Sequence, residues 1–272
     1  MLREWNKPQF LLPKNKALYT VADYLEPLGY RVTSIDASSY EGADVIHDLN
    51  CPIPDKFIGR FDLVIDGGTL EHVFNYPQAL QNAMRLLRVG GHLFLATPTN
   101  NQCGHGFYQF SPELFYSVLT ERNGFELKRI YIRAEGRKFF HVADPSRVGG
   151  RVELLNSSGS SLLVHAVKLK DAPFAGAQQS DYLVDWNRSP PQDGRIKALL
   201  RRTLSNHQII KISYLLNQMR VKRAARNWKR NSRLSNKRFY IPVSDWTQPT
   251  RDAFGYVQTS MPPSLAGTQG PG

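Results

Sequence analysis

The chain has 272 residues, 41% apolar and 21% charged. That is too apolar for a wholly disordered protein and long enough to bury a real core. Two cysteines, Cys51 and Cys103, do not make a disulfide framework or a four-ligand zinc site. The net charge of +12 is local: residues 195–238 hold nine Arg, five Lys and no acid, while residues 1–194 and 239–272 each sum to −1. Overall basicity therefore gives no whole-chain argument for nucleic-acid binding.

The first residues lack the apolar core of a signal peptide. No uncharged run approaches the ~18 residues of a spanning helix. With no sign of an oxidising compartment, the expected location is the cytoplasm.

Residues 16–28 read as an amphipathic helix, with Leu18, Val21, Leu25 and Leu28 at spacings of three and four, closed by Gly29. Residues 30–36 and 43–47 read as strands followed by acids. Residues 61–66 (FDLVID) form a third apolar strand, followed by Gly67-Gly68. Residues 76–88 predict a helix that stops at Gly90-Gly91. Residues 92–96 predict a buried strand closed by Thr97-Pro98. Residues 111–122 predict a helix with Ser111 as N-cap and Pro112 at the first helical position. Residues 125–133 and 161–169 are further strands.

This alternation predicts an α/β fold, a doubly wound, mostly parallel Rossmann-like sheet. The expected domain spans residues 1–170. Residues 171–194 read as a linker and 195–238 as a basic amphipathic helical segment. Residues 239–272 read as an irregular tail, disordered from 257.

In an open parallel sheet, ligands bind beyond the carboxyl ends of the strands. Asp36, Asp48 and Asp66 all stand where strands end. A carboxylate there can accept both hydroxyls of a ribose. The alternative is a turn-forming Asp. Phe61-Asp-Leu-Val-Ile-Asp-Gly-Gly-Thr-Leu-Glu-His-Val73 resembles the fourth-strand motif of class I S-adenosylmethionine-dependent methyltransferases. Leu86-Leu-Arg-Val-Gly-Gly-His-Leu-Phe-Leu-Ala-Thr-Pro98 resembles their next helix end and fifth strand. Phe107–Phe115 and Asn123–Leu127 fit that family's C-terminal half.

The resemblance implies S-adenosylmethionine as cofactor. It makes Asp36 the ribose-binding acid, sets Asp48 and Leu49 beside the adenine, and lines the mouth with Asp66, Gly67 and Gly68. Thr69, Glu71 and Tyr108 fall on the substrate side. His72 and His105 are the candidate catalytic groups, since imidazole titrates near neutrality. His47, His141 and His165 read as structural, and no sequence spacing forms a metal motif. Cys103 lacks any evident oriented base.

The family's first strand leads into a Gly-rich turn, but here the first glycine is Gly29. The corresponding stretch, residues 10–16, offers Lys14 and Lys16 instead. Three readings stay open: a chain shortened at its N-terminus, a divergent but functional turn, or a fold kept for binding without catalysis. The leading expectation is methyl transfer to a small-molecule or glycan-type acceptor. The alternatives are a scaffold module, with a partner or oligomer supplying the loop, and an RNA methyltransferase.

The basic segment has three readings. It can lie on an anionic membrane as a peripheral helix. It can grip a nucleic-acid backbone, with Tyr214 and Trp228 to stack. Or it can pack on the domain as a hairpin with a solvated basic face.

Overall fold

The structure is a computed structural model and describes residues 20–136, 138–180, 182 and 206–256. The expected cofactor turn at 10–16, most of the linker, the start of the basic segment and the end from 257, expected to be disordered, lie outside these residues.

Helix α1 (Val21–Leu25) starts at Thr20, whose hydroxyl and backbone form a capping box with Asp23. A 3₁₀ turn over Glu26–Leu28 follows and ends at Gly29, which takes the left-handed conformation. The strands expected at 30–36 and 43–47 shrink to β1 (Ile35–Asp36) and β2 (Val45–Ile46), paired in parallel. Ser34 and Asp44 tie the pair at its entrance: Ser34 donates N–H and O–H to Asp44, and Asp44 N–H returns to Ser34.

The larger sheet has the order β3-β4-β7-β5-β6-β8. β3 (Phe61–Asp66) runs parallel to β4 (Leu87–Asn100). β7 (Ser160–Lys168) then inserts antiparallel between β4 and β5 (Phe125–Ala134). β6 (Lys138–Val142) and β8 (Tyr240–Pro242) extend the antiparallel side. The fold is the expected α/β type; β1–β2 and β3–β4 pair in parallel, while the other four pairings of the larger sheet are antiparallel.

Helix α2 (Tyr76–Leu86) passes directly into β4, which begins before Gly90-Gly91 and runs through Pro98. Pro98 lacks an N–H, and the β4–β7 register shifts between Pro98 and Asn100. A strand tolerates proline at such an irregularity. Helix α3 (Pro112–Val118) carries the predicted Ser111 cap. Short helices α4 (Pro145–Val148) and α6 (Thr250–Ala253) flank the long α5 (Asn206–Asn231).

Leu87, Leu93, Phe115, Phe125, Ile130, Ile132 and Leu162 are buried in one core. Each such side chain contributes roughly 1.5–3 kcal/mol by leaving water. Tyr240 joins that core and donates its hydroxyl to the Glu153 carbonyl at 2.9 Å. Thr250 exchanges hydrogen bonds with the Ile130 backbone. The irregular tail expected over 239–272 thus contains β8 and α6, both joined to the domain. The buried Lys168 ammonium caps the end of α2 by donating to the Leu87 carbonyl at 2.8 Å, with Asp171 at 2.7 Å.

Three histidines sit in structural contacts. His47 bonds the Cys51 carbonyl, and His141 is buried against Thr250. Arg129 lies 2.8 Å from His165 Nδ1 and can only donate, so that nitrogen accepts. His165 Nε2–H then donates to His92 Nδ1 at 3.0 Å. Burial, then the Arg129 charge, pulls the His165 imidazole down to about 4.

Candidate functional site

β3 delivers Asp66 to the end of the larger sheet. Asp66 Oδ1 accepts the N–H groups of Thr69 at 2.9 Å and Leu70 at 3.3 Å. These bonds turn the chain into a 3₁₀ turn over Leu70–His72. Burial pushes the Asp66 carboxyl up. The bond from Thr69 opposes that rise, and the nearby Glu71 carboxylate adds to it.

Glu71 is only 1% exposed, so it is a buried carboxylate and not an open substrate-side group. Two glycines cradle it. At Gly68 (φ +118°) a Cβ would meet Glu71 Oε1 at 3.2 Å. At Gly106 (φ +69°) a Cβ would meet the Glu71 carbonyl at 2.9 Å. Phe107 N–H donates to that same carbonyl at 2.9 Å. The loop after β4 therefore folds onto Glu71, and His105 Nε2 comes to 3.3 Å from Glu71 Oε1.

His72 is exposed beside this pair, its ring centroid 5.1 Å from that of His105. Asp66 Oδ2 and Glu71 Oε2 are buried with no hydrogen-bond partner among the described residues. Burying such atoms costs free energy unless a ligand or ion meets them.

The structure thus brings together Asp66, Gly68, Glu71, His72 and His105. Thr69 is exposed at the rim, and Gly67 faces open space. Tyr108 is half-buried, packs near Tyr76 and Phe110, and donates its hydroxyl to the Phe74 carbonyl at 2.7 Å. These contacts give Tyr108 a structural role beside the substrate-side one expected of it.

Asp36 and Asp48 lie at the ends of β1 and β2. Each also makes a local turn: Asp36 accepts from Ser38, and Asp48 accepts from Asn50. The bonds from Asn50 hold the Asp48 carboxyl below its usual range. A carboxylate offers about four acceptor positions, so these bonds leave capacity at both acids.

Leu49 packs against the main core, and its loop is clamped by Asn82 of α2. Asn82 is fully buried. Its oxygen accepts the Ile53 N–H at 2.9 Å, and its amide donates to the Leu49 and Cys51 carbonyls at 3.2 and 2.8 Å. Sequence reading did not single out Asn82. The available signal was a polar side chain among Ala79, Leu80 and Ala83 on the apolar face of a helix. The exposed pair Phe74 and Phe107, with ring centroids 6.0 Å apart, was also missed.

A family model described as methyltransferase domain matches residues 20–95. Over that stretch the likeness to the class I methyltransferases holds. It spans α1 to the middle of β4 and includes Asp36, Asp48, Asp66–His72 and Asn82. His105 and Tyr108 lie beyond it. Members of this methyltransferase family use S-adenosylmethionine in general. No curated protein matches the chain. A solved protein from Bacillus halodurans C-125, provisionally described as a methyltransferase, is 15% identical. The match covers 55% of this chain and 87% of that one, with a TM-score of 0.33, too low to support a conclusion about this chain.

The described side chains of α5 are all exposed, including Tyr214, Met219, Val221 and Trp228. Among the described residues no helix is long and apolar enough to cross a membrane.

Proposed function

We propose that the chain transfers a methyl group from S-adenosylmethionine to a small-molecule or glycan-type acceptor. The observation that carries the reading is the family match over residues 20–95, which contains all three strand-end acids. The residues present fit the cofactor: Asp36 keeps acceptor capacity for a ribose, and open space at Gly67 leaves room beside Asp66.

The cofactor supplies an electrophilic methyl group on a sulfonium. Asp36 holds the ribose hydroxyls. Asp48 and Leu49 border the base, in a loop that Asn82 keeps in place. Asp66 organises the turn on which Glu71 and His72 stand. The loop carrying His105 covers that turn and brings imidazole nitrogen to the acceptor side. Phe74 and Phe107 give the rim an apolar face that suits the C–H surface of a ring-shaped acceptor. Most of the rate enhancement comes from holding acceptor and methyl group in line and away from water. Where the acceptor nucleophile carries a proton, His72 and His105 are the groups within reach to take it.

The Asp36→Ala variant tests the cofactor half of the site. Loss of charge-assisted bonds to the ribose is expected to weaken S-adenosylmethionine binding by roughly ten- to hundredfold. Calorimetric titration reads this directly. Unchanged affinity would remove Asp36 from the site. The glycine-free first 28 residues favour a second reading, a fold kept for binding alone. That reading predicts no saturable cofactor binding even in the unaltered chain.

A further inference from the structure

We infer that Glu71, His72 and His105 form a binding site for one zinc-like divalent metal ion at the acceptor side of the mouth. One ligand atom from each lies within 4.8 Å of the other two. Their order along the chain shows no metal motif, because the third ligand arrives from the loop after β4. An ion with nitrogen and oxygen ligands at about 2.0–2.1 Å draws such atoms somewhat closer together. The geometry permits that closure. His72 is exposed and the His105 side chain is 52% exposed, so both imidazoles can swing, while Glu71 is held in place.

A second, independent observation points to a cation. Glu71 is 1% exposed, and its Oε2 has no hydrogen-bond partner among the described residues. Asp66, also buried, presents an equally unpartnered Oδ2 close enough for the two carboxylates to repel. Two neighbouring buried carboxylates are stabilised by a positive charge between or beside them.

Gly68 and Gly106 sharpen this reading, since both let backbone approach the Glu71 carboxylate and peptide where a Cβ would intrude. Two imidazoles and one carboxylate favour zinc, cobalt or nickel over magnesium or calcium. Three protein ligands leave coordination positions open towards solvent, as in catalytic metal sites. An acceptor hydroxyl bound at an open position would be more acidic and would be fixed in place. The assignment rests on the methyl-transfer reading and replaces the proton-accepting role of His72 and His105 with a ligand role, but metal binding is measured without cofactor. A chain that binds zinc and not S-adenosylmethionine would refute only the transfer.

The test uses the full chain, stripped by chelator and titrated with zinc in competition with a chromophoric chelator. Cobalt absorption provides the second readout. The expected result is one equivalent bound with micromolar or tighter affinity. His72→Ala and His105→Ala should each weaken it by at least about tenfold. These histidines are exposed, so circular dichroism should show both variants folded. Glu71→Gln should weaken binding as well, and the histidine variants decide the matter if it fails to fold. His92→Ala, which breaks the His92–His165 pair elsewhere, should leave affinity unchanged. Absence of saturable binding at millimolar zinc would overturn the assignment. So would affinity retained in His72→Ala and His105→Ala, or lost in His92→Ala.

Discussion

Asn82→Ala is expected to destabilise the protein by roughly 1–3 kcal/mol, because it strands the buried Ile53 N–H and releases the part-buried Leu49 and Cys51 carbonyls. The Ile53 N–H loses its acceptor and the Leu49 carbonyl its donor, while the Cys51 carbonyl keeps only its contact with His47. Ile53 is 2% exposed, so water cannot readily replace the bond to its N–H. Urea unfolding should show a lower midpoint with a similar slope. The functional consequence comes from the same bonds. Asn82 fastens the loop after Asp48 to α2, so the variant should also bind S-adenosylmethionine more weakly. A loss of stability below about 0.5 kcal/mol would mean that the clamp is not formed.

Gly106→Ala is expected to cost about 1–3 kcal/mol of stability and about a hundredfold in transfer rate. The new Cβ would sit 2.9 Å from the Glu71 carbonyl, in a conformation with φ +69°. The neighbour is backbone and cannot swing aside, so the loop must lift. His105 then leaves Glu71, while Asp36 and the loop after Asp48 remain untouched. Cofactor affinity should stay unchanged as the rate falls. Gly104→Ala, in the same loop, is the matched control, since a Cβ there meets nothing within 4 Å. It should change stability by no more than about 0.5 kcal/mol. Equal behaviour of the two variants would show that the loop does not rest on Glu71.

The elements legible in the sequence are those written in local signals. β3 occupies the predicted residues 61–66, and α3 begins at the Ser111-Pro112 cap. Gly29 ends the first helical stretch as expected. What was not legible depends on distant partners. Tyr240-Ile-Pro242 is a strand because β6 offers it an edge, with Tyr240 opposite Val142. β4 passes Gly90-Gly91 in a bulge between its Leu87 and His92 pairings with β3, and reaches Pro98 opposite Ser161 of β7.

The site divides in the same way. Asp66 was visible as an acid after an apolar strand. Glu71 was also noticed, but as a substrate-side group, because its burial is created by a loop some 35 residues further on. Asp36 and Asp48 each close a local turn, as the turn-forming alternative expects, and keep acceptor capacity for further bonds. The pairing of Glu71 with His105 belongs to the tertiary fold alone.

The most direct test of the methyl-transfer account is titration of the full, unaltered chain with S-adenosylmethionine in a calorimeter. The account predicts saturable binding of one equivalent in the micromolar to submillimolar range. No heat of binding up to millimolar cofactor would contradict it.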